Sequence, residues 1–437
     1  MNGEYQIFKR DPVTGLKSQL VQRYKSFTLT LNWGQQSKFN IKGETIGNCE
    51  LETGDYILFY RNLELVFSGV VTEVNLNCDS PSDGKIEWTA TGEDDTIIFK
   101  NRISVPDPDN MTFFDKVVDK SEGYAYNRLI HYLRMNMGSP LFPPESPDYH
   151  DYTINPHAAS DRQIEGLAFP FNRSIGLEDL SQYRYKTLSD IIKDIGGEVD
   201  EETGDENGLY PIFEWNPDTG LKSIKIPEKR DMTDKVTLNP QFGNVTAWGK
   251  TTKYPKYNAL WICSGSYTDK DAEVDEETGK KPTTRIWQYH TDEESIAKFG
   301  RIEKLVTKSD IKVVYDDEKT EDEDETVTEE EVNRLLTKEA NKLLRENASQ
   351  TKYTITMAET PELQFWTDWK CGDLVTCIIN GEKFTSTIKT VSINYAKGKE
   401  TVKPTVGGVE HGEFADIFKT ISGIDTRLED KEMEMES

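Results

Sequence analysis

A chain of 437 residues, 35% of them hydrophobic, is too long for one core, and length alone predicts about three domains. Its formal net charge of −26 excludes gripping nucleic acid through basic patches, although DNA passing as cargo along a repelling wall stays compatible. No stretch reaches the roughly 18 to 20 uninterrupted apolar residues of a membrane helix, and Met1-Asn2-Gly3-Glu4-Tyr5 has neither the basic nor the apolar region of a signal peptide, so cytosolic synthesis without stable membrane insertion is expected.

The first hundred residues read as strands. Tyr24 to Leu31 alternates with Phe27, Leu29 and Leu31 on one face, and Phe39 and Ile41 repeat the pattern after a Gly-Gln-Gln turn. Asp11 to Gly15 is a D-x-x-T-G turn whose glycine supplies the positive φ that closes a hairpin; similar turns recur at Asp200 to Gly204, Asn216 to Gly220 and Asp275 to Gly279. Pro106 to Asn110 ends this region, with Asn110 placed to cap a helix from Met111. Phe113, Phe114, Val117 and Val118, then Leu129, Ile130, Leu133 and Met137, predict two short amphipathic helices broken near Gly123. Pro140, Pro143, Pro144, Pro147 and Pro156 prevent regular structure next, a helix is expected over Leu188 to Ile195, and strands over Leu209 to Trp215 and Leu221 to Ile226.

Strand patterns resume at Val245 to Gly249, Leu260 to Cys263 and Ile286 to Tyr289, and the acidic run Asp316 to Glu325 interrupts them. Thr328 and Glu331 then form a capping box ahead of an apolar stripe of Val332, Leu335, Leu336, Ala340, Leu343 and Leu344. Tyr353 to Met357 is again a strand. After Gly407-Gly408, the residues Phe414, Ile417, Phe418, Ile421, Ile424 and Leu428 fall at helical spacing. Such a stripe suits either an oligomer-stabilising helix at a symmetry axis or a helix folded back on its own domain.

Two stretches share one pattern. Gly54-Asp55-Tyr56-Ile57-Leu58 leads through Val70 to Asn77, then Gly84-Lys85, to Ala90-Thr91-Gly92; Gly372-Asp373-Leu374-Val375-Thr376 leads through Thr387 to Asn394, then Gly398-Lys399, to Thr405-Val406-Gly407. Each reads as an antiparallel meander. The fold class expected is α+β, mainly β, with two similar antiparallel β-barrel-like domains. The boundaries expected are 1–105 for the first barrel-like domain, 106–235 for an α+β insertion, 236–352 for a β-rich domain ending in the capped helix, 353–408 for the second barrel-like domain with strands of 236–250 shared, and 409–437 for a helical tail.

Candidate chemistry is sparse. Cys49, Cys78, Cys263, Cys371 and Cys377 form no CxxC pair and read as reduced, structural fillers. His150 and His157 sit near Asp148 and Asp151 in the proline-rich loop, but no helix or strand fixes their spacing for a metal. Glu321 to Glu325 lacks the central glycine and closing glutamate of an EF-hand and reads as a solvated connector. Phe365, Trp366 and Trp369 resemble a sugar platform in composition, yet read better as core or interface. No HExxH, GxSxG or P-loop occurs, so no catalytic, cofactor or metal residue is assigned and no enzyme activity is expected.

The order of these elements, with Phe67-Ser68-Gly69-Val70-Val71 and the closing Lys403 to Gly407, resembles the tail hub proteins of long-tailed phages over residues 20 to 408. These are the N-terminal part of the tail-associated lysin family, akin to the central hub of contractile baseplates. The resemblance implies a structural virion protein at the tail tip, a homotrimer whose paired barrels form a pseudo-six-fold ring that lines or closes the DNA channel. It implies as partners a hexameric distal tail protein, the tape measure protein and receptor-binding or tail-fibre proteins. Members often carry a C-terminal peptidase, muramidase or receptor-binding extension, and the 30 residues after the second meander suggest a short hub or the front of a longer product. A cell-wall or polysaccharide hydrolase and a carbohydrate-binding module are the alternative functions.

Overall fold

The computed structural model describes residues 4–46, 49–78, 84–107, 118–152, 154–199, 207–268, 273–274, 281–314, 327–357, 360 and 362–407. Strands β1 (Tyr5–Arg10), β2 (Lys17–Val21), β3 (Tyr24–Asn32), β4 (Lys38–Ile46), β5 (Tyr56–Arg61), β6 (Glu64–Asn77) and β7 (Lys85–Asp94) make the first meander, followed by the one-turn helix α1 (Ile97–Lys100). The alternation of β3 buries Phe27, Leu29 and Leu31 as their spacing requires, and β4 does the same with Phe39 and Ile41. The two-residue turn of the β5–β6 hairpin has both Asn62 and Leu63 at positive φ, the backbone that matches the twist of the flanking strands.

Strand β8 (Asp119–Tyr124), helix α2 (Ala125–Met137), β9 (Leu167–Ala168), β10 (Glu178–Tyr183), α3 (Leu188–Gly196), β11 (Ile212–Trp215) and β12 (Lys222–Lys225) follow. Here the structure differs from the two helices read from the sequence. The second stands as α2, but Asp119–Tyr124 is a strand paired along its length with β10, and Gly123 at φ 121° is incompatible with a helix. Residues 113–117 and the proposed Asn110 cap lie outside the described residues. Helix α3 begins where Thr187 accepts from the Asp190 amide, and α2 and α3 share an apolar core with Phe213 and Trp215. The similar turns at Asp11 and Asn216 pack against each other: a Cβ on Gly15 would overlap the Trp215 indole, and Lys17 donates its amide to the Pro217 carbonyl at 2.9 Å. The other two such turns lie outside the described residues.

Next come β13 (Thr237–Leu238), β14 (Val245–Lys253), β15 (Ala259–Ser264), β16 (Tyr267–Thr268), β17 (Thr283–Thr284), β18 (Trp287–Thr291), α4 (Glu293–Phe299), β19 (Glu303–Lys308) and α5 (Glu329–Glu346). Helix α5 has the expected capping box and buries Val332, Leu335, Leu336, Ala340 and Leu344, in one cluster with Leu260 and Ile262 of β15. The second meander is β20 (Gln350–Met357), β21 (Leu374–Ile379), β22 (Glu382–Ala396) and β23 (Lys399–Gly407). The acidic run beyond Val314 and the segment 409–437 fall outside the described residues.

The mainly β class is observed, but neither meander closes into a barrel among the described strands. Both belong to a single 13-stranded sheet. Within it the neighbours run β1-β5-β6-β7-β4-β3 in the first half and β13-β21-β22-β23-β20-β14 in the second, so the halves are sister folds. Only the flanking strand differs in direction, since β1 is antiparallel to β5 whereas β13 is parallel to β21. The opening turns agree atom by atom. Gly54 and Gly372 have φ 94° and 95°, Asp55 Oδ2 accepts from the Glu52 amide at 2.8 Å, and Asp373 Oδ2 accepts from the Lys370 amide at 2.7 Å. Both halves also carry a bulge at one place, between Val71 and Glu73 and between Ile388 and Thr390. Pairing across those bulges matches Gly92 with Val406, so the sequence match of Gly92 to Gly407 is one residue out. Gly92 is glycine because a Cβ there would fall 2.0 Å from the Val70 carbonyl oxygen.

Candidate assembly surface

The two halves meet where β3 pairs antiparallel with the distal part of β22, from Asn32 opposite Thr390 to Ser26 opposite Ala396. One core runs across this seam, in which Phe27 stacks on Tyr395 with ring centroids 5.1 Å apart. At its end Arg61 Nε and Nη2 donate to the two carboxylate oxygens of Glu400 at 2.9 and 3.0 Å, and Arg61 Nη1 donates to the Phe365 carbonyl at 2.9 Å. The Tyr5 hydroxyl donates to the same carboxylate; burial first, and then the charge of Glu400, push that hydroxyl well above its usual range, so it stays a donor.

The sister relation exposes an imbalance. The distal part of β22 pairs with β3, but the equivalent part of β6, from Glu73 to Asn77, pairs only with β7 among the described strands. Likewise β3 has two neighbours, and its equivalent β14 has, among the described strands, only β20. Every residue of β14 after Val245 is exposed. Apolar side chains follow suit: Ile393 is 0% exposed and its equivalent Leu76 is 58%; Phe27 is 2% exposed and its equivalent Trp248 is 42%. Open strand edges with exposed apolar residues are what natural sheets cover or pair.

A second polar surface lies where α5 meets the insertion. Lys338 bridges Asp179 and Glu198, each at 2.7 Å, and Arg334 and Lys342 pair with Asp179 and Asp194. Burial opposes the charge on Asp194, but Lys186 and Lys342 outweigh it and hold its carboxyl below the usual carboxylate range. The cavity there has a volume of about 40 Å³, room for a water or two and not for a sugar ring.

The sequence candidates for chemistry are dispersed. His157 is buried, with its ring nitrogens 3.1 and 3.0 Å from the carbonyl oxygens of Ala158 and Tyr149, while His150 is exposed beside the Tyr149 ring. Among the described residues no group of three or more His, Cys, Asp or Glu side chains is placed to share a metal. Phe365 and Trp369 are wholly buried in the common core, with Trp366 partly buried beside them. The Cys371 and Cys377 thiols are pushed up to about 12 by burial, with Asp373 adding to the effect at Cys371, so both are protonated near neutral pH. What sequence reasoning missed is Glu73, Leu76, Trp248 and Lys253. Aligning the two meanders pairs Leu76 with Ile393, but only burial shows that one is covered and the other is not.

A protein-family model described as "Siphovirus ReqiPepy6 Gp37-like protein" matches residues 17–408. The chain belongs to that family. The match spans both sister halves of this Gp37-like chain and nearly the same residues as the resemblance drawn from its turns and strands. No curated protein matches. Among solved structures, similarity is found to the 43 kDa tail protein of prophage MuSo2 from Shewanella oneidensis, at 13% identity and TM-score 0.48, covering 92% of this chain and 98% of that one. A tail protein from Neisseria meningitidis MC58 is similar at 10% identity and TM-score 0.49, covering 92% and 96%. Prophage tail protein gp18 from Listeria monocytogenes EGD-e is similar at 10% identity and TM-score 0.45, covering 96% and 99%.

Proposed function

We propose that this chain is a non-catalytic tail hub protein of a long-tailed phage, positioned at the virion tail tip. Three copies make a ring of six sister half-sheets around the channel through which DNA leaves. The observation that carries this reading is the imbalance at the edges: one subunit joins its two halves by a strand seam and, among the described strands, leaves the equivalent edges unpaired. A contact of that kind, made between different surfaces, runs head to tail and gives a ring when its rotation closes. With two sister halves per subunit, three subunits offer six similar faces to a hexameric distal tail protein on one side. Tape measure and receptor-binding or tail-fibre proteins are the further partners. The net charge of −26 suits a wall that a passing duplex does not stick to.

The experiment is the copy number. Mass measurement of tails carrying a tagged chain is expected to give three copies per tail. One copy, or six, overturns the ring.

A further inference from the structure

We infer that the seam between neighbouring copies is a strand addition in which β14 of one copy pairs antiparallel with the distal part of β6 of the next, in the register that β3 and β22 already use. This inference rests on the ring reading and adds the residues that make its contact.

The register follows from pairings within the subunit. Ladder positions shared with β4 and β20 place Phe27 with Trp248 and Thr30 with Thr251, and two residues further along the same strands Asn32 falls with Lys253. Those shared with β7 and β23 place Glu73 with Thr390, Asn75 with Ser392 and Leu76 with Ile393. Since Asn32 faces Thr390, Thr30 faces Ser392 and Leu29 faces Ile393 in the inner seam, the outer seam sets Lys253 against Glu73, Thr251 against Asn75 and Lys250 against Leu76.

Chemistry agrees with this register at two of these pairs and at Trp248. Glu73 and Lys253 are both exposed and opposite in charge, a combination that stabilises directly opposed strand residues. The stem of Lys250 covers Leu76 while its ammonium stays with Glu382 at 3.0 Å. Trp248, at the place of Phe27, closes over the end of the seam next to Leu76, just as Phe27 covers Tyr395 inside the subunit. A slip of one residue turns Leu76 and Trp248 to opposite faces and opposes Glu73 to Thr252, so the register is specified.

The test is a cysteine pair. Directly opposed antiparallel residues have Cα atoms about 4.5 to 5.5 Å apart, within the span of a disulfide. In a Cys78→Ser background, Asn75→Cys with Thr251→Cys is expected to give bands of two and three chains from assembled tails on a non-reducing gel, collapsing to one band with reductant. The inner pair, Thr30→Cys with Ser392→Cys, gives a single-chain band. If tails hold three copies and the outer pair leaves only single chains while the inner pair oxidises, the seam is wrong and the ring stands. If tails hold one copy, both fail. Charge exchange covers the case of poor folding: Glu73→Lys is expected to weaken self-association about fivefold and Glu73→Lys with Lys253→Glu to restore it. A double variant no better than the single one overturns the pairing.

Discussion

Two carboxylates show how residue-scale electrostatics couples to the sheet. The Glu400 side chain is almost wholly buried, 3% exposed, and the guanidinium of Arg61, itself 6% exposed, favours its charged form there. Glu400→Gln leaves a buried guanidinium short of its counter-charge, which costs about 3 to 5 kcal/mol. Denaturant titration followed by tryptophan fluorescence checks this, and a midpoint equal to that of the native chain refutes it. Asp94 presents the reverse case. Burial raises its carboxyl to about 6, against hydrogen bonds from Thr96 and Ser37 and with the charge of Asp95 adding to the rise. The folded pKa therefore lies above the ordinary value of 3.8, and the folded protein takes up this proton first. The stability it confers is complete below pH 3.8 and is lost as pH climbs through about 6. Carbon-detected NMR of the Asp94 carboxyl is expected to show a midpoint near 6; a midpoint at or below 4 defeats the assignment.

At the scale of elements, the features that depend on neighbours in the chain agree with the sequence. Helix α5 starts at Thr328 because Thr328 Oγ1 accepts from the Glu331 amide and Glu331 Oε2 accepts from the Thr328 amide at 2.8 Å. Removing the hydroxyl with Thr328→Ala costs about 1 kcal/mol of local stability, so amide exchange in the first turn of α5 should quicken roughly fivefold with the rest unchanged. Uniform exchange along the helix would show that the cap is not local. The opening turns, the positive φ of the turn glycines Gly15 and Gly220 and the strand alternation were legible for the same reason. Asp119–Tyr124 was not, because its partner β10 lies some 60 residues away and overrides the apolar spacing that suggested a helix. No signal in the sequence marked α5 as docking through Lys338 and Lys342 either, since charged residues on a helix face read as solvated until a partner is seen.

At the scale of the whole molecule, the duplication is the organising fact. Its two halves lie in one sheet and one core, where the sequence suggested two separate barrels. Sharing the seam removes two edges that independent open half-sheets would each have to protect, and among the described strands the outer pair stays unpaired. A ring built this way uses one contact geometry twice, within and between subunits.

The sequence by itself determined the mainly β class, the repeated meander, the turns and the capped helix, because each is set by stereochemistry over a few residues. Only the tertiary structure decided that the halves share a sheet, that Leu76 and Trp248 stay exposed where their equivalents are buried, and that the inner seam has a definite register. Those facts rest on pairings such as Thr28 with Asn394, 366 residues apart, and local preference carries no information across that distance.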